Sequence, residues 1–200
     1  AIAIQNAQLF EAVQQRAEEF QTLRAIAVDL LSSTNLSHLL RVIAHQALAK
    51  SQAKDVHIYL YDQEREELTF GTSLWANGQI DVEFAKPRRD GVTYTVARTG
   101  EAQIISDPAN HPLFGDVIHD PAWAPLETML SMPLKRGDEV LGVFNIAFEQ
   151  RGVVNEDLLH YLDLLASQAA VAIANARLWE ATRIGRDRLQ AILNSIHDGI

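Results

Sequence analysis

The sequence predicts an α/β (α+β) domain in which helices pack on a mostly antiparallel sheet that is covered on both faces. Three observations predict it. Two apolar runs, Thr128–Leu134 and Glu139–Phe148, flank the turn Lys135-Arg136-Gly137-Asp138 and read as a hairpin. A helix-period segment, Leu36–Gln52, is followed closely by a run of period-two residues. The two ends of the chain repeat each other with helical spacing.

From the N-terminus, Leu9, Val13, Arg16, Phe20, Leu23, Ala27 and Leu30 alternate spacings of four and three, a coiled-coil seam with one basic interruption at Arg16. Leu36, Leu39, Leu40, Ile43 and Ala47 then form the apolar face of a helix, with Asn35 or Ser37 as its cap. Val56, Ile58 and Leu60 alternate with His57, Tyr59 and Tyr61, which is a strand. Leu68, Phe70, Thr72 and Leu74 make a second, after the charged turn Asp62–Glu67, and Asn77-Gly78 marks another turn. Val92–Thr99 is a short helix ended by Gly100, and Gln103–Ile105 a short strand. The stretch SDPANHPLFGDVIHDPAW follows. Loops of that length are functional or disordered, and the aromatics and histidines here favour function.

In the last strand Val140, Gly142, Phe144 and Ile146 face one way, and Leu141, Val143, Asn145 and Ala147 the other. Both faces are largely apolar, so both are covered. Helices cover one, and the loops between Asn77 and Glu127 cover the other.

Residues 1–12 read AIAIQNAQLFEA and residues 170–181 read AVAIANARLWEA, identical at eight of twelve positions. The chain therefore divides into residues 1–34, the end of a preceding domain of the same kind and its linker helix; 35–181, one complete domain; and 182–200, the next linker and the start of a further module. The second seam reads Leu178, Thr182, Gly185, Leu189, Ile192 and Ile196, with Gly185 costing about 1 kcal/mol relative to Ala. The seams read either as two amphipathic helices packed on their own domain or, because the pattern outlasts one domain face, as a parallel homodimer seam, which is the reading preferred. The first residue is Ala1, so the sequence reads as a piece of something longer.

The net charge of −9 argues against nucleic acid or an anionic membrane as partner, because phosphate binding needs concentrated Lys and Arg. Lys86-Pro87-Arg88-Arg89 is the densest basic cluster. There is no cysteine, which excludes disulfides, thiolate metal sites, cysteine nucleophiles and thioether-linked bilins, and suits a reducing cytoplasm. No apolar run approaches the roughly 20 residues of a membrane span.

The segments GVTYTVARTGEAQIISD, SMPLKRGDEVLGVFNIAF and VNEDLLHYLDLLASQAAVAIANARLWE resemble, in family order, the middle helix and strand, the closing hairpin and the closing helix of GAF domains. The resemblance spans about Asn35 to Glu180, and Val154 stands where the family often has Phe. It implies a GAF fold: a mostly antiparallel sheet of about six strands, helices on one face, loops and short helices on the other, and long signalling helices at the ends. RDRLQAILNSIHDGI resembles the lead-in to a PAS domain. Together these imply a sensory module of a bacterial signal-transduction protein. Its neighbours in the same chain would be GAF or PAS domains and an output module, such as a two-component histidine kinase or a nucleotide cyclase.

No catalytic constellation is present: Ser106-Asp107 and Ser131 lack a nucleophile-elbow context, and no phosphate-cradling glycine motif occurs. The Asn-Lys pair of cyclic-nucleotide GAF domains is missing. His111 and His119 have no metal-ligand spacing, so haem and metals are not expected, and His38 and His45 stand about 10 Å apart along their helix. His57 reads as a hydrogen-bonded core or rim residue. A pocket for an unidentified small molecule would be lined by Trp75, Phe84, Tyr94, Phe114, Trp123, Met129 and Phe144, with Asp107, His111 and Ser131 as its polar groups. Two functions follow, a ligand-gated sensor or a ligand-free relay and dimerisation unit; an independent enzyme does not.

Overall fold

A computed structural model describes residues 36–83, 85–114 and 124–197, the last nine by backbone alone. The N-terminal seam, the Asn35 cap, Phe84, His119 and Trp123 lie outside the described residues, as does the end of the PAS-like segment.

The elements run α1 (Leu36–Ser51), β1 (Asp55–Asp62), β2 (Glu67–Trp75), α2 (Val92–Thr99), β3 (Gln103–Ile105), a 3-10 turn (Pro108–Asn110), β4 (Thr128–Arg136), β5 (Glu139–Phe148) and α3 (Glu156–His197). The strands form one antiparallel sheet in the order β2-β1-β5-β4-β3. Five strands are found among the described residues where about six were expected; Ile80 adds a single bridge to Leu74 at the β2 edge.

α1 and α3 cover one face. Leu40, Ile43 and Ala47 of α1 and Leu162, Leu165, Ala169 and Ile173 of α3 are fully buried there, each large aliphatic contributing about 1.5–3 kcal/mol. The run of alanines on α3 removes side-chain bulk and lets it lie close to its neighbours. Asn155 starts α3 by accepting the Leu158 amide at 2.8 Å on its side chain, and Glu156 and Asp157 complement the helix dipole. α2 packs on the opposite face, against β4 and β5, and ends at Gly100 in the left-handed region, where the amide of Gly100 returns to the Val96 carbonyl. No helix among the described residues is long and apolar enough to cross a membrane.

Two irregularities set which side chains meet. Gly71 is skipped in the β1–β2 pairing, and Leu141 is skipped between the Leu134–Gly142 and Lys135–Val140 pairs. The second bulge corrects the expected alternation of β5. Val140 joins Val143 and Ala147 in the α2-side cluster instead of facing the helical layer with Phe144. Gly142 pairs with Leu60 beside that bulge, and a Cβ there would stand 2.4 Å from the Tyr59 carbonyl oxygen. The two backbones approach too closely for any side chain.

Candidate functional site

Between the α2 side of the sheet and the segments around residues 85–93 and 113–114 lies a cavity of about 280 Å³. That is just below the usual range for small-molecule sites and has the volume of roughly nine waters. Its floor is β1 and β5, which contribute Asp55, His57 and Tyr59 from one strand and Asn145 and Ala147 from the other. Trp75, Val92, Leu113, Phe114, Leu126 and Met129 supply apolar walls.

Register assembles the polar floor. β1 and β5 place His57 opposite Asn145, and β4 and β5 place Asn145 opposite Ser131, giving a polar row across three strands. The Ser131 hydroxyl donates to Asn145 Oδ1 at 2.6 Å, and Asn145 Nδ2 donates to Thr93 Oγ1 on α2 at 2.9 Å. This buried chain ties the first turn of α2 to the sheet. His57 Nε2 stands 3.2 Å from Asp55 Oδ1, with both residues buried. The His57 ring is stacked parallel to Tyr59 and edge-on to Trp75. Tyr59 donates to the Ala85 carbonyl at 3.2 Å, fastening the cavity wall to the sheet. Burial pushes the Tyr59 phenol well above its ordinary value, and the carboxylates of Glu83 and Asp55 push the same way, so it stays a neutral donor.

Cations gather at the walls. Lys54 Nζ donates to the Ala124 carbonyl at 3.1 Å. Arg88 chelates Asp90 through two 3.0 Å contacts and donates to the Phe114 carbonyl at 2.6 Å, joining the two wall segments. Lys86 lines the cavity from an exposed position.

Of the described residues expected to line a pocket, Trp75, Phe114 and Met129 line this one. Ser131 stands beside Asn145 on β4 and holds its side chain without lining the cavity. Phe144 does not line the cavity: Asn145 occupies that face, and strand alternation turns Phe144 to the helical layer. Tyr94 is turned away, its hydroxyl accepting the Leu68 amide at 3.3 Å and its ring within cation–π distance of Arg89 and Arg98. Asp107 is on the surface, held by Asn110 and Arg151. His111 accepts the Leu113 amide on Nδ1 at 3.3 Å, a local turn contact. His38 and His45 border a separate depression between α1 and β2. No group of three or more His, Asp or Glu side chains among the described residues is placed to hold a metal.

Lys54, Asp55, Tyr59, Lys86, Arg88, Thr93 and Asn145 also line the cavity, beyond the residues that the sequence marks for it. The one available signal was polarity out of place: Asn145 inside an apolar strand, and His57 and Tyr59 on one face of β1.

A profile of the family described as GAF domain matches residues 33–174. A curated relative, the dual 3',5'-cyclic-AMP and -GMP phosphodiesterase 11A of Takifugu rubripes, is 28% identical over 125 residues, which is 61% of this chain; the chain spans 13% of that protein's length. Among solved structures, the GAF domain of an Acinetobacter phosphoenolpyruvate-protein phosphotransferase superposes with a TM-score of 0.62 at 21% identity, covering 82% of this chain and 98% of that one. Residues 122 to 287 of a methyl-accepting chemotaxis protein superpose with a TM-score of 0.60 at 22% identity, covering 78% of this chain and 99% of that one.

Proposed function

This chain belongs to the GAF domain family, and we propose that it is the ligand-sensing and relay module of a larger signalling protein. A small molecule occupies the cavity, and its presence biases the packing of α3, which carries the signal to an output domain. The observation that carries this reading is the shared strand β5. Asn145 and Ala147 line the cavity, while Phe144 and Ile146 of the same strand are fully buried on the side covered by α1 and α3. Two rigidly connected faces of one strand are a contiguous path between the two sites, and coupling requires only that the ligand prefer one packing of the helix over another.

The output module in this proposal is a histidine kinase, a nucleotide cyclase or a transcriptional activator, and the chain works as a homodimer in the cytoplasm. The cyclic-nucleotide chemistry named for the phosphodiesterase relative is not carried over, because no Asn-Lys pair occurs here.

A thermal-shift assay on the purified chain with a panel of small metabolites, repeated on Ala147→Phe, tests the sensor reading. The added ring fills the cavity from its floor. At least one metabolite raises the melting temperature of the native chain and leaves the filled variant unmoved. Metabolites that act equally on both forms would defeat it.

A second reading, a relay and dimerisation unit without a ligand, has one observation in its favour. α3 exposes Val171 at 46% and, seven residues on, Leu178 at 56%. Sedimentation of Leu178→Glu decides the dimer: the native chain sediments as a dimer and the variant as a monomer. A native monomer rejects the seam.

A further inference from the structure

One line along α3 is exposed and carries no charge. Val171, Asn175, Leu178, Thr182 and Gly185 follow one another at spacings of four and three, so they share one side of the helix, and all five are exposed. The charged residues of the same turns, Arg177, Glu180 and Arg183, stand about a third of a turn or more off that line. They are engaged there, Arg177 with the Tyr61 carbonyl and Arg183 with Glu180 at 2.9 Å. A neutral line at this spacing, bordered by charge, is the pattern of a two-helix seam, with Asn175 and Thr182 in its a layers and Val171, Leu178 and Gly185 in its d layers.

The line makes one polar demand. Val171 and Leu178 are apolar, and Gly185 has no side chain. The Thr182 hydroxyl donates to the Leu178 carbonyl at 2.8 Å, so its own helix answers it and its methyl is left for a neighbour. The Asn175 amide has no hydrogen-bond partner among the described residues. Gln168, seven residues earlier on the same line, is 9% exposed. The line enters the packed layer there, and Asn175 is the first amide on it that a neighbour can reach.

An identical helix meets that demand. Run parallel and level, two copies set Asn175 against Asn175, and an amide both donates and accepts, so each answers the other. Val171 then meets Val171 and Leu178 meets Leu178. The complementarity extends to charge: neutral line faces neutral line, and the guanidinium and carboxylate groups of both copies stay outside. A slip of three or four residues puts Asn175 against Leu178 or Val171 and strands both amides. An antiparallel pair does the same, because its a layers face d layers. Resting on the reading that the chain is a homodimer, we propose that Asn175 sets the register of the pair and holds the α3 helices of two copies parallel and unshifted.

The chain has no cysteine, so single cysteines report the register without background. Thr182→Cys and Gly185→Cys versions of the 200-residue chain are mixed in equal amounts, left to exchange and oxidised, and the linked peptides are counted by mass spectrometry. Level parallel helices bring like positions within disulfide range and hold 182 and 185 beyond it. Links between like positions outnumber mixed links by about tenfold or more. With Asn175→Ile added, the pair tightens in sedimentation, and mixed links rise to within about twofold of the others. Mixed links that prevail with Asn175 in place overturn the level pairing. An Asn175→Ile pair that keeps its register overturns the role of Asn175, and both of these results leave the homodimer standing. A chain that sediments as a monomer, with no link at either position, overturns the register and the homodimer together.

Discussion

Arg177 of α3 donates through Nη2 to the carbonyl oxygen of Tyr61 in β1 at 2.6 Å. The same nitrogen lies 3.4 Å from the carbonyl of Leu141, the residue the β4–β5 ladder skips. One guanidinium therefore answers a strand end and a bulge. It does so near the point where α3 leaves the domain, since α3 is exposed at every described side chain from Leu178 to Arg188. Arg177→Ala is expected to cost about 1–2 kcal/mol in urea unfolding. It should also speed hydrogen exchange in the turns after Asn175 without changing exchange at Leu162 and Leu165. Uniform acceleration along the helix would show that Arg177 is not a local anchor.

The buried chain from Ser131 through Asn145 to Thr93 should behave as a unit. Asn145→Ala leaves the Ser131 and Thr93 hydroxyls without their partner and is expected to destabilise by about 2 kcal/mol; Ser131→Ala removes one end and costs about 1 kcal/mol. The double variant should lose less than the sum, and the shortfall read by denaturant titration measures the coupling. Strict additivity would mean that the two contacts are independent.

Two glycines should respond in opposite directions. Gly142→Ala drives a methyl against the Tyr59 carbonyl, with 2.4 Å available, and is expected to cost at least about 3 kcal/mol or prevent folding. Gly185→Ala meets nothing within 4 Å and should raise local helix stability by about 1 kcal/mol. Circular dichroism separates them, the first losing cooperative melting and the second gaining helical signal at an unchanged melting temperature.

Asp81 ties the β2 edge to α1, accepting Thr72 Oγ1 at 2.6 Å and pairing with Arg41 at 2.5 Å. Burial works to raise its carboxyl, but hydrogen bonds from Thr72 and Arg41 outweigh that and hold it below the ordinary 3.8. A depressed folded value means stability that is present above pH 3.8 and lost as the pH falls through the folded value. The contribution is on the order of 1 kcal/mol, because the side chain is a third exposed to screening solvent. Asp81→Asn should flatten that part of the stability–pH curve below pH 4 and leave the neutral-to-basic limb parallel to the native one. An unchanged acid limb would place the titration elsewhere.

The elements were legible in the sequence because each is written in a local period. α1, the β4–β5 hairpin and the Gly100 stop all follow from residues within one or two turns of one another. The cavity was not, because it is made by register between distant segments. His57 and Asn145 meet through the pairing of β1 with β5, across 88 positions of sequence. Phe144 and Asn145 show how narrow the choice is: side-chain size marks the first for a pocket, but strand parity gives the cavity to the second. Val140 escaped the alternation because nothing in the local pattern announces the bulge at Leu141. Trp75, Phe114 and Met129 were recoverable as large apolar residues in or beside loops, whereas the lysines gave no sign that they share a space.

α3 is 42 residues long, and Ala174 is the last buried position among its described side chains. The 20 residues from Leu178 to His197, which follow the Arg177 anchor, span about 30 Å of helix at 1.5 Å each. A rod of that length is a lever arm: tilting its base by about 5° sweeps the far end through about 2.6 Å, about half the 5.4 Å helical pitch. A movement at the root too small to disturb the packing of Leu165 or Ile173 becomes, at the tip, a displacement comparable to one side chain trading places with its neighbour.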